Sequence, residues 1–337
     1  MKRYIQFWLV VFLALHQGAQ AQLIPIYGGE RAGLSALVFL KNDMSPRSMA
    51  MSGASLANTG DAYAFMTNPA AATQLKGQSW SASSFLLGAG VNQSYVSGIF
   101  PLKDGVSNLG FSLNGLNSGE ILERTEFQPG GTGRSIYVTN LAMGLGYARQ
   151  LSAQFSLGVN LKYVFEGLAE YNNHTAAADV SFLYKTDFKD LQFAVMVQNF
   201  GGNSAISGEN LAVAFNRTPG LSLDRNTVPT VFAMGVSAVP WKLDQHSLRT
   251  SIQLNHPNDN AENYRLGLEY DFRQILAVRT GIKLNVAGQP FPSFGFGLRS
   301  IAFGHPLFID YAANPTDVMG FQHLFGLRLE MNKSANP

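Results

Sequence analysis

In this 337-residue sequence, the residues that could most readily take part in chemistry are charged side chains that interrupt apolar runs at every second position. In a β-strand, period two places such side chains on one face. Both signs occur, so they could pair and fill an interior, or they could line a path for an ionic solute. The sequence leaves both interpretations open. The positions are Lys162, Glu166, Asp179, Arg265, Glu269, Arg279, Lys283, Arg299 and Arg328.

Catalytic and metal-binding patterns are hard to find in the chain. No Gly-x-Ser-x-Gly, Walker or dinucleotide-binding glycine pattern occurs in a fitting context. The later histidines are not spaced to share a metal ion. They are His174, His246, His256, His305 and His323. We therefore expect no enzyme activity, no catalytic residues, no metal site and no cofactor.

The elements that must position the charges are amphipathic strands. From Phe155 to Phe165, apolar side chains occupy every odd-numbered position, and polar ones such as Asn160 and Lys162 occupy even positions. A tilted strand of about ten residues is long enough to cross a bilayer. The pattern predicts fourteen strands, at 79–87, 93–101, 107–116, 134–148, 154–167, 174–186, 191–200, 229–240, 247–256, 263–272, 276–285, 292–303, 306–313 and 322–331.

Composition favours a membrane barrel over other classes of protein. The chain is 46% hydrophobic and 14% charged, about half the charge of an ordinary soluble domain. Past the N-terminus it has no apolar run of about 20 residues, which excludes a bundle of transmembrane helices. The net charge of +2 is too small to indicate nucleic-acid binding. We predict an all-β fold, a transmembrane antiparallel β-barrel of about 14 strands in contact with the lipid bilayer.

The N-terminal region divides into a targeting signal and a segment that could fill the lumen of the barrel. A basic start, a short apolar run and a small-x-small site at Ala19 to Ala21 predict a signal peptide over 1–21. Residues 22–76 are rich in small side chains, which would let this segment pack as a helical hatch inside a lumen. A helical cap without a binding role is the alternative. Asn68 and Pro69 are typical of a helix start.

The remaining boundaries follow from the strand pattern. The barrel is predicted to occupy 77–331, and 332–337 form a short polar tail. Short connections after even-numbered strands place both termini in the periplasm of an outer-membrane barrel. The two longest connections, 117–133 and 201–228, would then be extracellular. A break in the alternation between Val138 and Leu141 predicts a bulge in the fourth strand.

The segment ALVFLKNDMSPRSMAMSGASLANTGDAYAFMTNPAA carries a series of motif positions. With them, the segment resembles the PorV/PorQ family of Bacteroidota outer-membrane proteins, relatives of the FadL long-chain fatty-acid transporters. The region from Tyr147 to Leu168, Asp179, and Val197 to Gly202 is similar to that family's fourth to seventh strands. The chain departs from the family at Ser52, where a glycine is usual, and at Thr67, where an aromatic is common. The motif positions are Phe39, Leu40, Arg47, the stretch from Met49 to Gly53 that includes Met51, Asp61, Asn68, Pro69 and Ala70.

The resemblance implies a fourteen-stranded barrel with an N-terminal hatch, acting in the type IX secretion system. Its implied partners are the C-terminal signal domains of secreted cargo, the large translocon barrel and surface sortase components. A FadL-like transporter of hydrophobic molecules such as fatty acids is the alternative, with a ligand that displaces the hatch around Asn68 to Ala70 and leaves through a strand defect. A purely structural barrel is a third possibility.

Overall fold

The structure, a computed structural model, describes residues 34–208, 225–286, 288–289 and 291–331. The predicted signal peptide, the first part of the hatch segment at 22–33 and the tail at 332–337 lie outside these residues, as does 209–224 of the predicted 201–228 connection. No helix among the described residues is long and apolar enough to cross a membrane.

Fourteen antiparallel strands close into one barrel, as the alternation predicts. The first strand pairs with the last, and every other strand in the barrel pairs with its neighbours along the chain. Two further short strands, β4 and β5, form a hairpin in the connection between β3 and β6. The strands are β1 (Gln78–Gly88), β2 (Val91–Pro101), β3 (Ser107–Asn117), β4 (Ile121–Leu122), β5 (Ser135–Ile136), β6 (Val138–Gln150), β7 (Phe155–Leu168), β8 (Tyr171–Lys185), β9 (Gln192–Gly201), β10 (Val231–Leu243), β11 (His246–Pro257), β12 (Asn263–Phe272), β13 (Leu276–Leu284), β14 (Ser293–Ala302), β15 (His305–Thr316) and β16 (Gly320–Met331).

Alternation along each strand separates an apolar outer face from a polar lumen. In β7, Leu161 is 61% exposed on the outside, whereas its neighbour Asn160 is 2% exposed inside. The fully formed ladder satisfies the backbone hydrogen bonds and leaves the barrel without a free edge.

The predicted bulge in the fourth strand is wrong. β6 pairs with β3 and β7 without a register shift from Val138 to Gln150. The alternation breaks because Val138, an apolar residue at the first position of β6, has the same parity as the buried Asn140 and Ala142, whereas Leu141 has the opposite parity. Register shifts occur instead between Leu86 and Gly88, between Ala178 and Val180, and between Ala238 and Trp241.

The two ends of the barrel differ in their connections. Short turns at 102–106, 151–154, 186–191, 244–245, 273–275 and 303–304 share one end with the first residue of β1 and the last of β16. We call this the turn end. The opposite loop end carries the long connections 118–137 and 202–230, although four of its connections, 89–90, 169–170, 258–262 and 317–319, are also short.

Four short helices form a hatch inside the barrel. They are the 3₁₀ helix Val38–Lys41, the α-helices Pro46–Ala50 and Ala64–Thr67, and the 3₁₀ helix Pro69–Gln74. The Asn68 side chain accepts a hydrogen bond from the backbone N–H of Ala70, so the predicted N-cap is confirmed. Ser45 caps the Pro46–Ala50 helix in the same way.

Inward-facing glycines of the barrel wall make room for this hatch. A Cβ at Gly158 would overlap the backbone of Pro69 and Ala70. Similar overlaps would occur between Gly146 and the ring of Phe65, and between Gly281 and the backbone of Met51. The core of the molecule is therefore the interface between hatch and wall.

Tyr63 of the hatch lies at the seam where the barrel closes. Its hydroxyl is 2.9 Å from the carbonyl oxygen of Ala82 in β1, to which it donates. The carbonyl oxygen of Leu327, which is opposite Ala82 in β16, lies 3.5 Å away. Burial raises the pKa of the Tyr63 hydroxyl above its ordinary value.

Candidate functional site: the hatch, its anchors and the cavity at the loop end

An ion-pair network joins the hatch to four strands of the wall. Arg47 donates from Nε and Nη2 to the two carboxylate oxygens of Glu269, at 2.7 and 2.6 Å. Arg279 bridges from Glu269 to Asp310, at 2.7 Å to each. Arg328 continues to Asp310, with Nε 2.8 Å from Oδ2.

Asp61, on the hatch, closes this network. Its Oδ2 lies 3.5 Å from NH1 of both Arg47 and Arg328, and its Oδ1 accepts the backbone N–H of Tyr63. Three arginines thus face three carboxylates in a buried setting, where each charge needs its partners. Burial alone would lower the pKa of Arg47, but Glu269 and then Asp61 raise it above its ordinary value.

A second polar cluster lies where the β8–β9 register shifts. Lys162 Nζ is 2.7 Å from Oδ1 of the fully buried Asp179. The same Oδ1 accepts the backbone N–H of Asn199, whose φ of 56° interrupts the strand ladder. Asn160 donates to Asp179 and to the carbonyl oxygen of Phe65 on the hatch. The cluster therefore satisfies the irregular backbone and ties it to the hatch.

The other predicted hatch residues fix the hatch by backbone contact. Asn68 donates to the carbonyl oxygen of Leu56, and Pro69 begins the last 3₁₀ helix. The N–H of Ala70 donates to Ser181 Oγ on β8 at 2.9 Å. Met51 lies against the inward glycines of β12 and β13, and Gly53, with φ of 80°, lies under the guanidinium of Arg265.

A cavity of about 740 Å³ lies above the hatch toward the loop end. Its rim includes Asn260 and Asn285, in the connections after β11 and β13, and hatch residues from Leu40 to Asp43 line another side. Arg265 and Lys283 face into it from paired positions on β12 and β13. The carboxylate of Asp43 interacts electrostatically with both cations, and its burial raises its pKa.

A smaller cavity of about 170 Å³ lies on the turn-end side, lined by the network arginines and carboxylates. It shares no lining residue with the larger cavity. The hatch and its anchors therefore stand between the two spaces.

The predicted lumen charges thus divide among three places. Glu269, Arg279 and Arg328 are in the network, Lys162 and Asp179 are in the second cluster, and Arg265 and Lys283 are in the larger cavity. Two are not part of these groups. Glu166 accepts a hydrogen bond from Asn173, and Arg299 donates to Gln274 near the turn end.

Three contributors were not singled out from the sequence. Asp43 lies in an irregular hatch stretch without a periodic signal. Asn160 and Asn263 are inward by strand parity and buried, but a neutral amide on the lumen face has no charge pattern that marks it as a site residue. In the described part of the chain, no group of three His, Cys, Asp or Glu side chains is placed to hold a metal ion.

Comparison with solved structures places this fold among known barrels. The monoaromatic hydrocarbon channel CymD superimposes with a TM-score of 0.61 at 12% identity, covering 86% of this chain and 98% of that one. A FadL homologue of Pseudomonas aeruginosa gives 0.55 at 10% identity, covering 88% and 99%. The Pseudomonas putida toluene transporter TodX gives 0.52 at 13%, covering 85% and 96%. The chain therefore has the FadL-type barrel fold.

Sequence comparison adds no closer relative. No family model matches the chain, and no curated protein matches it. The resemblance to the PorV/PorQ family accordingly depends on the motif residues of the hatch and central strands.

Proposed function

We propose that the chain is an outer-membrane transporter of a small hydrophobic molecule, with the loop end outside and both termini periplasmic. The observation that carries this proposal is a loop-end cavity that ends at a hatch, in a barrel fold shared with hydrocarbon and toluene transporters. One side of the cavity is apolar, formed by hatch and wall residues that a hydrophobic ligand would contact. They are Leu40, Leu56, Met66, Met196 and Val231.

The register shift between β8 and β9 supplies a lateral route. The cavity reaches β9 at Met196 and Gln198, next to the point where the pairing shifts between Ala178 and Val180. Fewer ladder hydrogen bonds need to break there than at a regular strand pair. Lys162 and Asp179 cover this point from the lumen side, so they would act as the gate.

A cysteine cross-link across the shift tests this route. The chain has no cysteine, so Ala178→Cys with Phe200→Cys, at paired positions, introduces a unique disulfide. Oxidation should abolish the part of radiolabelled toluene uptake into whole cells that depends on this chain in their outer membrane, and reduction should restore it. The control pair is Leu141→Cys with Phe165→Cys on the regular β6–β7 ladder. Undiminished uptake by the oxidised β8–β9 pair would contradict a lateral route at this point.

A component of the type IX secretion system is the second candidate. The favouring observation is that the motif residues Arg47 and Asp61 anchor the hatch to the barrel wall, and Asn68 joins two parts of the hatch to each other. In this proposal the hatch is a fixed scaffold, and the partners are the translocon barrel, the C-terminal domains of secreted cargo and surface sortase components. The connections 118–137 and 202–230 would be the docking surfaces.

Affinity purification from native membranes, followed by mass spectrometry, separates the two candidates. Recovery of a much larger barrel with secreted proteins would support the secretion component. Recovery of bound hydrophobic molecules without protein partners would support the transporter. Deletion of 118–137 should abolish cargo recovery only if that connection is a docking surface.

A further inference from the structure

Two cations in the loop-end cavity, Arg265 and Lys283, form no ion pair with a carboxylate among the described residues. Arg265 and Lys283 are directly opposite each other on β12 and β13. Neither has a carboxylate oxygen within 4.0 Å among the described residues, whereas Arg47, Lys162, Arg279 and Arg328 all do. Among the described residues, Lys283 Nζ makes no hydrogen bond, and the charged groups that act on it are Arg265 and Asp43.

Arg265 is held in place by neutral groups. Its Nε donates to the Asn263 side chain at 3.0 Å. The amide oxygen of Asn255, with the amide oriented toward the guanidinium, accepts from NH2 at 2.8 Å. The backbone of Gly53 lies beneath it, at a position where any side chain would overlap the guanidinium. These contacts orient Arg265 and leave its charge uncompensated.

The charge balance of the cavity lining leaves room for one anion. Lys41, at the rim, is paired with Asp259 at 2.8 Å. Asp43 is the remaining carboxylate among the lining residues, and it faces two cations. A planar guanidinium matches the geometry of carboxylate and phosphate oxygens, and an adjacent ammonium adds a second charge-assisted contact.

We propose that Arg265 and Lys283 form a binding site for the carboxylate or phosphate group of a ligand that enters the cavity from the loop end. Amide side chains on the rim, such as Asn285 and Asn42, would bind the polar atoms next to that group. This anion site depends on the cavity and not on transport, so its test is independent of the tests of the two proposed functions.

Calorimetric titration of the purified full chain, in an uncharged maltoside detergent, tests the site. Inorganic phosphate and acetate should each give saturable binding. Arg265→Gln and Lys283→Gln should each weaken it about tenfold or more, since a charge-assisted hydrogen bond is lost. Lys103→Gln, on an exposed turn at the other end, is the matched control and should bind like the unaltered chain. Heat-dependent gel migration would verify that each variant is folded.

Two further probes identify the source of the anionic group. Octanoate binding more tightly than acetate would mean that the anion belongs to an amphiphile whose chain contacts the apolar side. Equal binding would mean a hydrophilic anion. Binding of neutral 1-octanol with no binding of phosphate or acetate would overturn the proposal, as would unchanged phosphate binding in both glutamine variants.

Discussion

Glu269 is the residue on which the attachment of the hatch depends most, because it pairs with one arginine from the hatch and another from the wall. Glu269→Gln would remove one of the three carboxylates of the network, so that three buried arginines would face only Asp61 and Asp310. We expect a loss of about 3–5 kcal/mol in the free energy of unfolding. The measurement is urea unfolding in detergent micelles, with exposed Glu126→Gln as the control. A variant as stable as the control would contradict the role of the network.

Asp43 should make anion binding in the cavity depend on pH. Burial raises the pKa of this carboxyl, so it becomes neutral at a higher pH than an ordinary aspartate. When it is protonated, the charge of Asp43, Arg265 and Lys283 together rises from +1 to +2.

Sulfate keeps its charge over about pH 4 to pH 6, so its affinity should increase as the pH falls through the pKa of Asp43. Asp43→Asn should bind as the low-pH form does throughout this range, and titration calorimetry over the pH series would measure both. A pH profile that is the same in the unaltered chain and in Asp43→Asn would remove Asp43 from the site.

At the scale of elements, the inward glycines are the positions where strand and hatch specify each other. Gly158→Ala would push β7 away from the backbone of Pro69 and Ala70, and we expect destabilisation of about 1–3 kcal/mol from this overpacking. Gly115→Ala is the matched control, because its nearest neighbour lies at 3.8 Å. Limited proteolysis should cut the hatch faster in Gly158→Ala than in Gly115→Ala, and equal rates would count against the tight fit.

The strands could be predicted from the sequence because their two faces meet different solvents. Period two in β7, β12 and β13 is a local signal, and it predicts that Lys162, Glu269 and Arg279 lie on the lumen side, as they do. The register shift at Asp179 could not be predicted in this way. It depends on a left-handed backbone at Asn199 and on a carboxylate twenty residues away that accepts its N–H.

The partner of each charged side chain could not be predicted from the sequence either. Strand parity indicates that Asp310 and Arg279 face inward, but only the pairing of β13 and β15 on either side of β14 brings residues 31 positions apart to 2.7 Å. The contact between Arg47 and Glu269 spans 222 positions and also requires the hatch to be inside. Such partners are fixed by three-dimensional closure and leave no periodic trace in the sequence.

At the scale of the whole molecule, the central question is whether the hatch must move. Ser52 on the hatch and Ser293 on β14 have hydroxyl oxygens 2.6 Å apart, so Ser52→Cys with Ser293→Cys would tether the hatch to the wall. If the chain is a transporter whose ligand displaces the hatch, oxidation should abolish uptake and reduction should restore it.

If the chain is a secretion component with a fixed hatch, the tethered protein should recover its partners from membranes as well as the unaltered chain does. Ser52→Cys alone, which cannot form the tether, is the control for both measurements. Loss of uptake together with retained partner binding would mean that the two activities use different parts of the barrel.

The position of Tyr63 also has a consequence for biogenesis. Its hydroxyl lies at the carbonyl groups of Ala82 and Leu327, the facing residues of the first and last strands. The hatch packs tightly against the inward glycines, which leaves little room for it to enter a barrel in which β1 and β16 have already paired. We therefore expect the N-terminal segment to be in place while the sheet is still open, and the pairing of β1 with β16 around it to be the final step of assembly.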